Sequence, residues 1–211
     1  LSVKPRDMDS AIEILRLAKR LSYKTLGLEV NEKLDLEELS SKARELNIDI
    51  VFRVIVKGET RLELRRALDS IEYKRRNLLV IASPETLDAL RYSSTNKRVH
   101  IVRVKPSLEK YIDKSQVRLF RERGWGAIEV SIGEVTRSTN ISYLYEITRR
   151  AHILDVNTVI VSDASTLEEL WSPHSIIGLL VSLGIPYWRA KSWLSSVPAY
   201  IIDYINRLRN A

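Results

Sequence analysis

Short apolar segments rich in β-branched residues alternate with amphipathic segments along all 211 residues, and this alternation constrains the fold more than any other feature. The apolar segments have the length and composition of strands that are buried on both faces. Residues 1–3 predict the stub of a first strand. Six further strands are clear: Thr25 to Val30, Ile48 to Val56, Leu78 to Ala82, Val99 to Val104, Ala127 to Ile132 and Thr158 to Ser162.

The segments between these strands have the period of amphipathic helices. Between Ser10 and Leu21, for example, Ile12, Leu15 and Ala18 fall on one stripe. Similar stripes occupy Leu36 to Leu46, Leu62 to Ile71, Leu87 to Leu90, Ser115 to Glu122, Ile141 to Leu154 and Ile176 to Leu183, and two closing helices follow at 185–195 and 198–208. A strand–helix order repeated in this way predicts a parallel sheet. We expect one domain over residues 1–211, an α/β fold of the irregular TIM-like (β/α) barrel type with extra C-terminal helices.

Two Ser-Pro pairs and one glycine pair add local signals. Ser83-Pro84 and Ser172-Pro173 each place a capping hydroxyl before a proline, so both predict a helix start. Gly124-Trp125-Gly126 precedes a strand instead of following one, which predicts a turn and not a phosphate-binding loop.

The charge balance points to an anionic partner. The chain has 34 Lys and Arg against 27 Asp and Glu, a net charge of +7, which suits nucleic acid or a membrane surface. No run approaches the roughly 20 apolar residues that a membrane span needs, and no signal peptide pattern opens the chain. We therefore expect a cytoplasmic protein without membrane contact. The absence of Cys excludes disulfides, thiolate zinc sites and Cys nucleophiles.

Candidate catalytic groups are sparse. The three histidines, His100 in a predicted strand, His152 and His174, have no metal-binding spacing, so structural or surface roles suit them better. Three acids follow or lie within strands, namely Glu29, Glu129 and Asp163, and parallel strand ends meet on one face of a barrel. A helix cap accounts for Asp163 more simply, and a basic neighbour accounts for Glu129.

Basic residues, arginines above all, form repeated clusters. Guanidinium groups bind phosphate oxygens in a bidentate manner, so this enrichment suits recognition of an RNA or DNA backbone. The alternative for any single cluster is a solvated helix face with i,i+4 ion pairs. The clusters comprise Arg61, Arg65, Arg66, Lys74, Arg75 and Arg76; Arg91, Lys97, Arg98, Arg103 and Lys105; Arg118, Arg121 and Arg123; and Arg149 and Arg150.

The C-terminal third carries the most distinctive motifs: VIVSDAS at 159–165, LEELWSPHSIIGLLVSLGI at 167–185 and RAKSWLSSVPAYII at 189–202. These segments, with LRRALDSI at 64–71 and LDALRYS at 87–93, resemble the family of archaeal ribonuclease P protein component 3. The weaker part of the resemblance extends over most of the chain. One departure is Trp171, which stands where the family pattern has an arginine before its Ser-Pro or Tyr-Pro; one expected phosphate contact is therefore lost or supplied elsewhere.

The resemblance implies an irregular TIM-like barrel and a non-catalytic subunit of the ribonucleoprotein that removes 5′ leaders from precursor tRNA. The implied partners are the ribonuclease P RNA, protein component 2 and the other protein subunits, with precursor tRNA contacted indirectly. The protein would bind no cofactor, and magnesium would belong to the RNA. By motif, the implied RNA-binding residues are Arg65, Arg91 and Lys191; by neighbourhood they are Arg103, Lys105, Arg121 and Arg123.

Two other functions stay open at this point. A metal-dependent phosphoesterase on the same barrel is one, because a fold does not determine a reaction. The other is a protein-only scaffold, which would depend on an apolar edge around Trp171, Trp188 and Trp193.

Overall fold

Seven parallel strands form the central sheet in the computed structural model, which describes residues 2–71 and 78–210. They pair in chain order from the first to the last. Beyond the last strand, Ala164 bridges Val3 in parallel and accepts a hydrogen bond from the Lys4 N–H at 2.8 Å, so the sheet nearly closes. This confirms the TIM-like barrel. The strands are β1 (Ser2–Val3), β2 (Thr25–Glu29), β3 (Asp49–Gly58), β4 (Leu78–Pro84), β5 (Ile101–Arg103), β6 (Ala127–Ser131) and β7 (Asn157–Val161).

Helices follow the strands on the outside of the barrel, except for the last helix, which packs across one end of it. They are α1 (Met8–Arg20), α2 (Leu36–Glu45), α3 (Arg61–Asp69), α4 (Leu87–Thr95), α5 (Lys114–Glu122), α6 (Ile132–Ser138), α7 (Ile141–Ile153), α8 (Pro173–Ser182), α9 (Tyr187–Leu194) and α10 (Ser196–Asn210), with a 3-10 helix at Pro106–Tyr111. Side chains such as Asp7, Thr60 and Asp113 cap their first turns by accepting backbone N–H groups. No helix within the described ranges is long and apolar enough to cross a membrane.

Two local predictions need correction. Ser83-Pro84 does not start a helix, because both residues extend β4, where Pro84 pairs with Gly58. The helix α4 begins after Thr86. The Thr86 hydroxyl caps this helix and also donates to the Glu59 carbonyl. His100 precedes β5 instead of lying inside a strand. Its Nδ1 accepts the Val80 N–H at 2.8 Å, a group that continued strand pairing would have used. Ser172-Pro173 does begin a helix, as predicted.

The C-terminal helices close one end of the barrel. Inside the barrel, Val51, Leu79 and Val159 point inward near the amino ends of their strands. Ile201 and Ile205 of α10 pack against these side chains and are themselves buried. The helix α10 therefore covers the core at the amino-terminal end of the barrel, and the carboxyl ends of the strands lie on the opposite side.

Candidate nucleic-acid interface

Three neighbouring helices present a basic surface. We use the name α3–α5 wall for residues 61–69, 85–98 and 105–123, in which α4 packs against both α3 and α5. The wall holds twelve basic side chains against seven acidic ones, so about a fifth of the residues accounts for most of the net positive charge. Lys74, Arg75 and Arg76 of the predicted cluster lie outside the described residues. The exposed cations of the wall are Arg61, Arg65, Arg66, Lys97, Arg98, Lys110, Lys114, Arg118 and Arg121.

Arg65 and Arg91 lie on this wall but in different environments. The Arg65 side chain is 70% exposed, and its Nε lies 3.9 Å from Asp69, a surface pair that costs little to open. Arg91 is half-buried and joins two helices: its guanidinium donates to Asp113 at 3.1–3.3 Å and to Gln116 Oε1 at 2.7 Å. Burial raises the pKa of Asp113, but hydrogen bonds from Arg91 and the Gln116 N–H outweigh it and hold that pKa below its usual value.

Arg103 lies inside the barrel. It donates to Glu129 at 2.8 Å and to both oxygens of Asp163 at 2.9 and 3.0 Å. Burial lowers the pKa of Arg103, but these two carboxylates raise it more, so the net change is upward. For Asp163, burial raises the pKa, and the guanidinium of Arg103 more than reverses that effect. The Arg103 side chain is only 11% exposed, and its N–H groups already donate to carboxylates. Arg103 is therefore less available to bind RNA phosphates than the exposed arginines of the wall.

Arg53 completes this interior cluster. Its Nη2 donates to both oxygens of Glu129 at 2.8 and 2.6 Å, and the two side chains are 2% and 1% exposed. Arg53 is not among the residues that the sequence predicts for the site. A signal was available: strand periodicity places this arginine on the same face as Val51 and Ile55, so a buried counter-charge was required. The basic neighbour expected for Glu129 is therefore Arg53 together with Arg103.

The three acids considered for catalysis are only partly brought together. Arg103 bridges Glu129 and Asp163, whereas Glu29 stands apart and pairs with Lys4 at 3.5 Å. The cap expected at Asp163 is wrong: Asp163 has a left-handed backbone (φ 52°), caps no helix, and accepts from Arg103 and from the Ser131 hydroxyl. Over the described part of the chain, no group of three or more His, Cys, Asp or Glu is arranged to hold a metal ion. The paired carboxylates offer the phosphoesterase alternative no support.

Of the remaining predicted residues, Lys105 and Arg121 lie at opposite ends of the wall, and Lys191 lies outside it. Lys105 pairs with Glu85 at the carboxyl end of the barrel. Lys191 is exposed on α9, which packs on α8, α10 and β7, so it does not share a surface with Arg65 and Arg91. Arg121 is exposed at the end of α5, at the amino-terminal end of the barrel.

Arg123, next to Arg121, binds the protein itself. Its guanidinium donates to the carbonyl groups of Ser93, Asn96, Val99 and Trp125 at 2.9–3.2 Å. Burial lowers its pKa to about 10, so the group stays protonated at neutral pH. Arg123 therefore joins the connection between α4 and β5 to the turn before β6.

The three tryptophans of the proposed apolar edge do not form one surface. Trp193 is fully buried, and only Trp188 is largely exposed. Trp171 is half-buried against the main core, and its carbonyl accepts a hydrogen bond from the Tyr23 hydroxyl at 2.7 Å. Burial raises the pKa of Tyr23, so this phenol remains a donor.

Comparisons with known proteins agree with one another. The profile of the family described as RNase P subunit p30 matches residues 1–210. Ribonuclease P protein component 3 of Aeropyrum pernix is 31% identical over 207 residues, which cover 92% of each chain. A chain in the cryo-EM structure of archaeal ribonuclease P with mature tRNA superposes with a TM-score of 0.79 at 19% identity, over 100% of this chain and 94% of that one. The structural similarity shows that the two chains share a fold. The family profile and the 31% identity to the Aeropyrum pernix protein show common ancestry. The chain belongs to the RNase P subunit p30 family.

Proposed function

We propose that this chain is a non-catalytic protein subunit of ribonuclease P, the ribonucleoprotein endonuclease that removes 5′ leaders from precursor tRNA. Its family membership supports this role, as does the similarity to a protein named ribonuclease P protein component 3. The observation that carries the proposal is the difference in solvent exposure between two groups of arginines. Those of the α3–α5 wall are largely exposed, whereas the carboxylates inside the barrel are already neutralised by Arg53 and Arg103.

The mechanism is electrostatic. Lys and Arg of the wall neutralise closely spaced RNA phosphates and release condensed counterions, which favours a compact fold of the catalytic RNA. Hydrolysis and its magnesium belong to that RNA. Arg65 suits this task because it is exposed and its pair with Asp69 is long. Lys191 binds on a second side, so the RNA would contact at least two faces of the barrel.

A protein partner completes the proposal. Protein component 2 and the other subunits of the particle would dock beside the RNA, and precursor tRNA would be contacted only indirectly. The exposed apolar side chains Tyr187 and Trp188 at the start of α9 suit such a protein contact. We place this assembly in the cytoplasm.

Reconstitution tests the role. Catalytic RNA is mixed with this protein, with and without its partner subunit, and cleavage of precursor tRNA is measured as magnesium is lowered. We expect the protein pair to maintain cleavage at magnesium concentrations at which the RNA alone fails. No gain from the pair, or cleavage by this chain without RNA, would overturn the proposal.

A triple variant tests the residues. Arg65→Ala, Arg91→Ala and Lys191→Ala together should weaken activation and reduce the slope of log affinity against log salt by about two to three units. The matched control is the triple Ala variant of Arg16, Lys19 and Arg20, exposed on α1, which removes the same charge elsewhere. Since Arg91 also joins α4 to α5, thermal unfolding is recorded for both variants. Equal activation by the two folded triple variants would count against the chosen positions.

A further inference from the structure

A pocket lies at the amino-terminal end of the barrel, where the end of α5 forms the edge of the α3–α5 wall. It has a volume of about 470 Å³ and lies between the end of α5, the Gly124–Gly126 turn, the start of β7 and α10. Sites that hold a small organic group usually span about 300–1,000 Å³. The volume therefore suits one nucleotide or a ligand of similar size.

Aromatic rings form the apolar side of this pocket. Trp125 is 8% exposed and is held against Tyr204, with ring centroids 5.0 Å apart. Tyr200, one turn earlier on α10, stacks on Tyr204 at 6.4 Å with an interplanar angle of 22°. Although Tyr200 lines the pocket, it is 56% exposed. The Tyr200 ring is thus fixed by its contact with Tyr204 and is accessible for stacking with a planar ligand.

The charges around the pocket favour an anion. Arg121 lines it, is exposed, and has no carboxylate within ion-pair distance among the described residues. Arg123 lies over the Trp125 ring at 5.3 Å and adds positive charge behind it. The acid in the lining is Asp155, and Arg189 pairs with it at 2.6 Å. The unpaired cation at the rim is thus an arginine, which binds phosphate oxygens in a bidentate manner.

Polar side chains supply the remaining recognition groups. Asn157 and Ser196 both line the pocket and offer an amide and a hydroxyl to the edge of a base. The Asn157 amide already donates to the Gly126 carbonyl at 3.3 Å, which fixes its orientation. A stacking ring, an arginine and hydrogen-bonding side chains around one cavity are the groups that proteins use for unpaired RNA bases.

We propose that this pocket binds one unstacked nucleotide of single-stranded RNA, with its base on Tyr200 and its phosphate on Arg121. The inference rests on the proposed role in an RNA-containing particle and adds a specific contact to it. The proposal also assigns a structural role to the Gly124-Trp125-Gly126 segment, which lines the pocket. Gly124 has φ +96° and open space around it, whereas a Cβ at Gly126 would lie 2.3 Å from the Phe120 ring, so the two glycines form the turn that supports Trp125 beside the pocket.

Photocrosslinking and affinity test the proposal with the full-length chain. The probe is a single-stranded RNA of about 20 nucleotides that contains 5-iodouridine, and the same RNA annealed to its complement serves for comparison. We expect tighter binding of the single strand and a crosslink on Tyr200 or Trp125. Tyr200→Ala should weaken single-strand binding about tenfold, and Tyr200→Phe should keep it within twofold, because stacking needs the ring and not the hydroxyl. Arg121→Ala should weaken binding and lower the salt slope by about one unit.

Two control variants isolate the pocket. Tyr145→Ala removes another exposed tyrosine on α7, and Arg20→Ala removes an exposed arginine on α1; both should bind as the unaltered chain does. Unchanged binding by Tyr200→Ala, crosslinks confined to other residues, or equal affinity for the duplex would overturn the pocket while leaving RNA binding by the wall intact. A chain that binds neither RNA form would overturn both proposals.

Discussion

Replacing Glu129 by Gln removes the negative charge that faces Arg53 inside the barrel. In the native protein, Arg53 Nη2 donates to both Glu129 oxygens at 2.8 and 2.6 Å, and both side chains are almost fully buried. In Glu129→Gln, one of these oxygens becomes an NH₂ group that faces another donor. Arg103 keeps Asp163 as a partner, but Arg53 loses its carboxylate. The variant therefore leaves two buried cations, Arg53 and Arg103, with Asp163 as their shared counter-charge.

The expected loss is large for one substitution. Removing one partner of a buried ion pair costs about 3–5 kcal/mol, because the remaining charge stays desolvated. For a domain of this size, each kcal/mol lowers the melting temperature by about 2–4 °C. We therefore expect Glu129→Gln to lower the melting temperature by about 6–20 °C.

Urea unfolding followed by circular dichroism measures this loss, with an unchanged m-value as the sign that the unfolded state is the same. The control is Glu122→Gln, which breaks only the exposed pair with Arg118 and should cost less than about 0.5 kcal/mol. The double variant Arg53→Met with Glu129→Leu removes both charges and should recover most of the loss. A cost below about 1 kcal/mol for Glu129→Gln would refute the reasoning.

Three further predictions concern positions outside this pair. Arg123→Ala should destabilise the protein by about 2–4 kcal/mol in urea unfolding, because the guanidinium donates to four backbone carbonyls; a loss under about 1 kcal/mol would contradict this. Asp163→Asn should lower the free energy of unfolding at pH 7. The difference in this free energy between the variant and the unaltered protein should become smaller below about pH 4. The native pKa of Asp163 is depressed, so its contribution exists above the unfolded value and is lost as pH falls through the folded one. A difference in unfolding free energy that does not change with pH would contradict this role of the Asp163 charge. Gly126→Ala should cost about 3 kcal/mol through a clash with Phe120, against about 1 kcal/mol for Gly124→Ala, where only the positive φ is strained; equal melting temperatures for the two would refute the difference.

Much of the fold was predictable because it follows from local periodicity. Each clear strand segment became a strand, and the stub at the N-terminus became β1. The errors arose where a contact from elsewhere in the chain ended or extended an element. The His100 ring takes the Val80 N–H and delays β5, and pairing with Gly58 keeps Pro84 in β4.

The site was predictable in kind but not in arrangement. An excess of arginine over the α3–α5 wall was visible in the sequence, and Arg65, Arg91 and Lys191 were selected by resemblance. Arg65 lies in a predicted helix and Arg103 in a predicted strand, but no local pattern showed that two carboxylates hold Arg103 inside the barrel. Burial of an arginine depends on which acid faces it across the sheet, and that is set by strand register.

The amino-acid order alone determined the succession of strands and helices, because periods of two and 3.6 residues are written within a few neighbouring positions. It also fixed the net positive charge. Only the folded barrel decided which of those charges reach solvent. Arg53 and Glu129 are 76 residues apart in the chain, yet they meet inside the barrel, where desolvation requires a charge to be paired.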